Sequence, residues 1–220
     1  MPLKALLFDF DGLIIDTETA ARSGWQWAYR QHGFELPEDK WALMVGTVRG
    51  WDPAGHLEEL VGEAFDDAGL HERRIENERA LIEAEQLRPG IRAYLDAAER
   101  RGLKRAIVSS ATREWIDPHL ARLECAVGWD AIVTAELDPE RAKPRPVMYL
   151  EALETLDVAA SEAVAFEDSP NGAAAAKAAG IYVVGVPNAV TRTLGLEQQA
   201  DVVVESLADL PPDELFARFG

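Results

Sequence analysis

Cysteine is nearly missing from this chain: Cys125 stands alone in 220 residues. No disulfide can close within the chain and no multi-cysteine metal site can be built, so a reducing, cytoplasmic setting is expected. Positive charge is scarce as well. Lys and Arg number 22 against 39 Asp and Glu, a net charge of −17. Nucleic acid and anionic membrane both need basic surface, so neither is expected as a partner. A small anionic substrate is not excluded, because exposed charges are screened beyond about 8 Å at physiological ionic strength and a local cation can override the global field. Long apolar runs are also absent, none approaching the ~20 residues of a membrane span. The run nearest the N-terminus is interrupted by Asp9, Asp11 and Asp16, which argues against a signal peptide, and the chain reads as starting at its first residue. What remains, 48% hydrophobic and 28% charged residues, describes an ordinary globular protein of one domain or two modest ones. Nothing in the composition sets the oligomeric state; a monomer is expected.

The stretch "LLFDFDGLIIDTE", residues 6–18, places two acids inside an apolar run. Residues 4–10 read as a buried strand ended by Gly12. Between Thr17 and about Glu85 the character changes to Trp, Glu, Arg and Ala with helical spacings such as Trp25, Ala28, Tyr29 and His32. Several helices with breaks near Gly33–Pro37, Gly46–Pro53 and Gly69 are expected there. After Arg88-Pro89-Gly90 a helix runs to Gly102. Short apolar runs then follow: "RAIVSS" (105–110), "AIVTAE" (131–136), "AVAFED" (163–168), "IYVVGV" (181–186) and "DVVVESL" (201–207). Helical patterns over 113–124, 146–157 and 170–179 separate them. Such alternation specifies an α/β fold, a Rossmann-like parallel sheet flanked by helices. The first strand belongs with those after residue 90, so the helical block 17–85 is an insertion.

Ligands of open parallel sheets bind at the carboxyl ends of the strands. Strand one delivers Asp9 and Asp11 there, the next Ser109 and Ser110, and "AVAF" delivers Glu167 and Asp168; Lys143 follows "AIVTAE". Singly, each has a plain structural reading: strand-end acids before a glycine turn, a turn or helix cap at the serines, a solvated loop lysine. "DSPNG" is in any case good helix-start chemistry, with Ser169 as N-cap and Pro170 first in the helix. Jointly they point to phosphoryl transfer. Clustered carboxylates repel unless a divalent cation joins them, and hard oxygen ligands suit Mg²⁺. A carboxylate beside that metal can attack phosphorus. A second one, two residues on, can protonate the leaving oxygen and later activate water. Lys and Ser can hold the phosphoryl oxygens.

In these residues the chain resembles the haloacid dehalogenase superfamily, in its phosphatase and β-phosphoglucomutase-like branch. "DFDGLIIDTE" matches the first motif, D-x-D-G with the D-[ST]-E that leads into a cap. "IVSS" is similar to the second, "AKPRP" to the third and "FEDSPNGAAAAKAAG" to the fourth. The resemblance implies a core domain of residues 1–16 and 86–220 and a helical cap domain of 17–85 that closes over the site. It implies Asp9 as nucleophile and metal ligand, and Asp11 as general acid/base with its backbone carbonyl on the metal. Ser109, Ser110 and Lys143 would bind the phosphoryl group. Asp168 and Glu167 would complete the Mg²⁺ site. Where the third motif often carries K-P-x-P-D, this chain has Val147 after Pro146, at an expected helix start. In the cap, "GTVRG" places Arg49 where relatives often hold a distal substrate group.

The expected activity is Mg²⁺-dependent hydrolysis of a small phosphorylated metabolite, a sugar phosphate, through an aspartyl-phosphate. A β-phosphoglucomutase would use the same residues and differ only in excluding water. A dehalogenase proper has no need of Asp11. A phosphoaspartate signalling or binding module would have no cap and would carry its acceptor on a middle strand in chain order.

Overall fold

The computed structural model describes residues 2–47, 51–62 and 68–219. Its first strand, β1 (Ala5–Phe8), is fully buried. It pairs in parallel with β2 (Lys104–Ser109) on one side and β4 (Ala163–Glu167) on the other. Two more strands, β3 (Ala131–Thr134) and β5 (Tyr182–Gly185), flank these, and β6 (Val202–Val203) closes one edge. The order β3-β2-β1-β4-β5-β6 puts the first strand near the middle of a six-stranded parallel sheet.

Because successive strand residues point to opposite faces, each strand feeds two cores. Leu6, Phe8, Ile107, Val164 and Phe166 pack with Tyr94 and Leu95 of α5 (Ile91–Arg101) and with Ile116 and Leu120 of α6 (Arg113–Arg122). Phe216 of α9 (Pro212–Phe216) joins that face. Leu7, Ala106, Val108, Val133 and Ala165 face α7 (Val147–Leu156) and the alanine-rich α8 (Pro170–Ala178). Both faces are thereby covered, which is why the strands read as unbroken apolar runs rather than alternating ones.

Among the described residues, four helices lie between β1 and α5: α1 (Thr17–Gln31), α2 (Glu38–Trp41), α3 (Pro53–Val61) and α4 (Ala68–Ala84). They carry an apolar cluster of their own, Ala28, Tyr29, Leu36, Trp41, Val45 and Leu57, against which Trp25 and Trp51 pack. The Tyr29 hydroxyl donates to the Pro53 carbonyl at 2.9 Å and meets His56 Nδ1 at 2.9 Å, and the rings of Tyr29, Trp51 and His56 pack against one another. None of the described helices is long and apolar enough to cross a membrane.

Three sequence expectations need adjustment. The break expected at Gly69 falls earlier: Gly62, in the left-handed region at φ 78°, ends α3, and Gly69 already lies in the first turn of α4. "DVVVESL" yields only two strand residues, because pairing with β5 stops at Val203 and Ser206 then caps a short turn, accepting from Ala208 N at 3.1 Å. The N-cap of α6 is Thr112, not Ser109 or Ser110. Ser169, by contrast, does cap α8, accepting from Gly172 N at 3.2 Å, with Pro170 first in the helix.

Candidate active site

β1 stops at Phe8, and the chain turns tightly beyond it: the Ile14 amide donates to the Phe10 carbonyl at 2.9 Å and the Gly12 amide to the Ile15 carbonyl at 2.8 Å. Gly12 sits at φ +80°, and a Cβ there would lie 2.2 Å from Asp168 Oδ2. Only glycine lets the turn press against the end of β4. This geometry places Asp9 and Asp11 at the carboxyl rim of the sheet, beside Ser109 from β2 and Glu167 and Asp168 from β4. Here the strand order diverges on either side of β1, where parallel sheets form their crevice.

Asp9 is 5% exposed and accepts from Lys143 Nζ at 2.5 Å. Lys143 is buried, and its ammonium also reaches Glu167 Oε1 at 2.7 Å. Glu167 in turn accepts from the hydroxyl of Tyr149, a residue of α7. Asp168 Oδ2 accepts from Asn188 Nδ2 at 2.7 Å, and Asn188 is fixed through its own oxygen, which accepts from Val190 N and Thr191 N at 2.8 and 3.0 Å. Ser109 Oγ accepts from Ala111 N at 3.0 Å, and Ser110 Oγ donates to the Gly46 carbonyl at 3.3 Å.

Carboxylate charge exceeds the positive charge at hand. Burial pushes Glu167 up to about 8, against the pull of Lys143. Burial, Asp9, Glu18 and Glu167 together hold Asp168 well above the ordinary carboxylate range. Burial works against the Lys143 ammonium too, but Asp9 and Glu167 beside it keep its pKa above the usual lysine value. Asp9, Glu167 and Asp168 each offer an oxygen within 4.8 Å of the others. Glu167 Oε2 and Asp168 Oδ1 are buried without a hydrogen-bond partner. Buried lone pairs of this kind are costly unless something satisfies them, and an all-oxygen set of this charge fits a hard divalent cation.

On the solvent side of Asp9 opens a chamber of about 240 Å³, lined among others by Asp11, Thr17, Glu18, Ser109, Ser110, Trp115 and Glu78. Asp11 Oδ1 accepts from Trp115 Nε1 at 2.8 Å and from Thr17 Oγ1 at 2.9 Å. Burial nevertheless pushes Asp11 up to about 6, with Asp9 adding to the rise. Glu18, raised to about 8 by burial and then by Asp11 and Asp9, faces the same space.

A family model described as haloacid dehalogenase-like hydrolase matches residues 3–180. The chain belongs to the haloacid dehalogenase-like hydrolases. Within this family it is 42% identical over 208 residues to the "Putative phosphatase YhcW" of Bacillus subtilis (strain 168), covering 94% of each chain. It is 29% identical over 181 residues to the "Phosphorylated carbohydrates phosphatase" of Thermotoga maritima, 81% of this chain and 82% of that one. The crystal structure titled as a putative beta-phosphoglucomutase from Thermotoga maritima superposes with a TM-score of 0.75 at 26% identity, covering 97% of this chain and 98% of that one.

Asp9, Asp11, Ser109, Ser110, Lys143, Glu167 and Asp168 thus converge on one rim, whereas Arg49 lies outside the described residues. Asn171 faces the inserted segment, donating to the Val45 carbonyl at 2.9 Å. Among the residues of the site in this dehalogenase-like hydrolase that escaped the sequence reading are Tyr149, Asn188, Trp115, Thr17 and Glu18. Thr17 and Glu18 are visible as the last two letters of "DTE". The other three reach the site from other elements, and nothing local marks them.

Proposed function

We propose that this chain is a phosphatase that hydrolyses a small phosphorylated sugar or polyol, using Mg²⁺ and an aspartyl-phosphate intermediate on Asp9. One observation carries the reading: the Asp9 carboxylate meets Lys143, the Glu167–Asp168 cluster and the open chamber at once. Nucleophile, countercharge and entry path therefore share a single side chain. The phosphatase names of the two relatives, one of them acting on phosphorylated carbohydrates, support hydrolysis and that substrate class.

In this reading Asp9, Asp168 and Glu167, with the Asp11 backbone carbonyl, hold the cation. Bound there, it supplies the positive charge that lets a phosphate approach so acidic a rim. The chain's own residues do the rest. Asp9 attacks phosphorus as the ester P–O bond breaks, and Asp11 delivers its proton to the departing oxygen. Asp11 then takes a proton from water as water attacks phosphorus, freeing Asp9 and inorganic phosphate. Lys143 holds the Asp9 oxygen not engaged in attack. Ser109 presents its hydroxyl to the phosphoryl oxygens at the chamber floor, and Ser110 joins it once its hydroxyl leaves the Gly46 carbonyl. Residues 17–85 act as a cap that closes over the chamber, and Arg49 contacts the distal end of the substrate.

Phosphate release from a panel of sugar and polyol phosphates tests this. Mg²⁺ should be required, EDTA should stop turnover, and Asp9→Asn should lower it at least 10³-fold, on the scale of losing a covalent nucleophile. Turnover surviving in Asp9→Asn would overturn the mechanism. β-Glucose 1-phosphate with trace bisphosphate separates the alternatives, free phosphate marking the phosphatase and glucose 6-phosphate a mutase.

A further inference from the structure

Trp115 has no place in the motifs, yet it touches the proton-transferring carboxyl directly. It lies in the first turn of α6, whose N-terminus is anchored twice. Thr112 Oγ1 accepts from Trp115 N at 3.3 Å, and the Glu136 carboxylate accepts from Arg113 N at 3.1 Å. From that anchored turn the indole reaches across 104 positions of sequence to donate to Asp11 Oδ1 at 2.8 Å. The ring is 37% exposed and stands edge-on to His119, their centroids 4.6 Å apart. It forms a wall shared by the chamber and the cleft between α4 and α6. The partner of its single polar atom is thus the carboxylate beside the chamber, delivered by another element.

The second donor to Oδ1 is Thr17, the first residue of α1. One donor therefore comes from the sheet-covering helix α6 and the other from the start of the inserted segment. Both fall on the same oxygen, so Oδ2 is the oxygen that can carry the proton. Thr17 belongs to the inserted helices, whereas Trp115 is built into the body that also holds Asp9.

We propose that Trp115 is a positioning residue for Asp11: its indole N–H fixes Oδ1 so that Oδ2 faces the leaving-group oxygen in the chamber. The proposal rests on the phosphatase reading above. In the step it serves, the ester P–O bond breaks as the Asp9–phosphorus bond forms, and the Oδ2 proton passes to the departing alkoxide, giving the alcohol. Trp115 exchanges no proton itself.

The test uses leaving groups of different basicity. A sugar alkoxide needs protonation as it leaves, whereas 4-nitrophenolate does not. Trp115→Phe keeps an aromatic ring and deletes the N–H. Its kcat/KM on a hexitol phosphate, which reports only the steps through loss of the alcohol, should fall roughly 10–100-fold, part of the ~10²–10⁴-fold that a positioned acid supplies, while kcat/KM on 4-nitrophenyl phosphate should stay within about threefold. In an Asp11→Asn background Trp115→Phe should add no further selectivity. Equal losses on both esters, or none on either, would overturn the proposal, as would further selectivity from Trp115→Phe once the Asp11 carboxyl is gone. If Trp115→Phe fails to fold, 3-benzothienylalanine at position 115 replaces the N–H by sulfur in a ring of the same shape, with the same outcomes expected. Native protein that hydrolyses neither ester refutes the phosphatase reading; native protein that hydrolyses both, with an unselective variant, refutes only the role of Trp115.

Discussion

A methyl group at position 172 would lie 1.8 Å from Glu167 Oε2. Glu167 has no room to retreat, since Lys143 and Tyr149 hold its other oxygen. Gly172→Ala should therefore displace the carboxylate and destabilise the protein by about 1–3 kcal/mol, as overpacked cores are. Urea unfolding would read the loss, and titration of Mg²⁺ against the thermal midpoint should show weaker binding. At this scale the sequence was legible where chemistry and strand ends coincide: Asp9, Asp11, Ser109, Glu167 and Asp168 each sit within three residues of a strand end. It was silent about their supports. Asn188 reaches Asp168 across 20 positions and Trp115 reaches Asp11 across 104, and no local pattern of residues encodes a contact that only the assembled sheet creates.

Helix α8 shows how an element is both specified and used. Ser169 caps it and is 1% exposed, so Ser169→Ala should cost about 1 kcal/mol, the usual effect of losing an N-cap, read as a lowered urea midpoint. The same helix start docks the inserted segment. A Cβ on Gly46 would lie 2.3 Å from Ser169 Oγ, and Asn171 donates to Val45. The cap serine and following proline made this helix readable from sequence, and so did the apolar runs that became β1 to β5. Elements that depend on their neighbours were less readable. β6 has three consecutive valines on paper, but Asp201 and Glu205 bound them, and with a partner on one side only it shrinks to two residues.

Over the whole molecule, buried acid is the main liability of the metal-free protein. Burial pushes Glu167 up to about 8 in the folded chain, against about 4.3 in an unfolded one. A carboxyl with a raised folded pKa contributes its full stability below the unfolded value and loses it as pH climbs through the folded one. In EDTA the thermal midpoint should therefore fall between about pH 4.5 and pH 8, and Glu167→Gln should flatten that slope. Mg²⁺ should raise the midpoint more at pH 8 than at pH 5, because it binds the ionised form; an equal rise at both would contradict a carboxylate-held cation. The overall −17 charge gave no hint of this local imbalance, since composition counts charges without placing them. The insertion has a different kind of consequence. The Arg88 amide donates to the Ile14 carbonyl at 2.9 Å, and the Arg88 side chain grips the carbonyls of Gly12, Val186 and Pro187. The chain thus leaves the sheet and returns to it at neighbouring points, and closing so long a detour there costs little more than closing a short one. The junction is a natural graft point: exchange of the segment between the first turn of α1 and Arg88 for a foreign one leaves both the sheet's connections and the Thr17 bond to Asp11 intact.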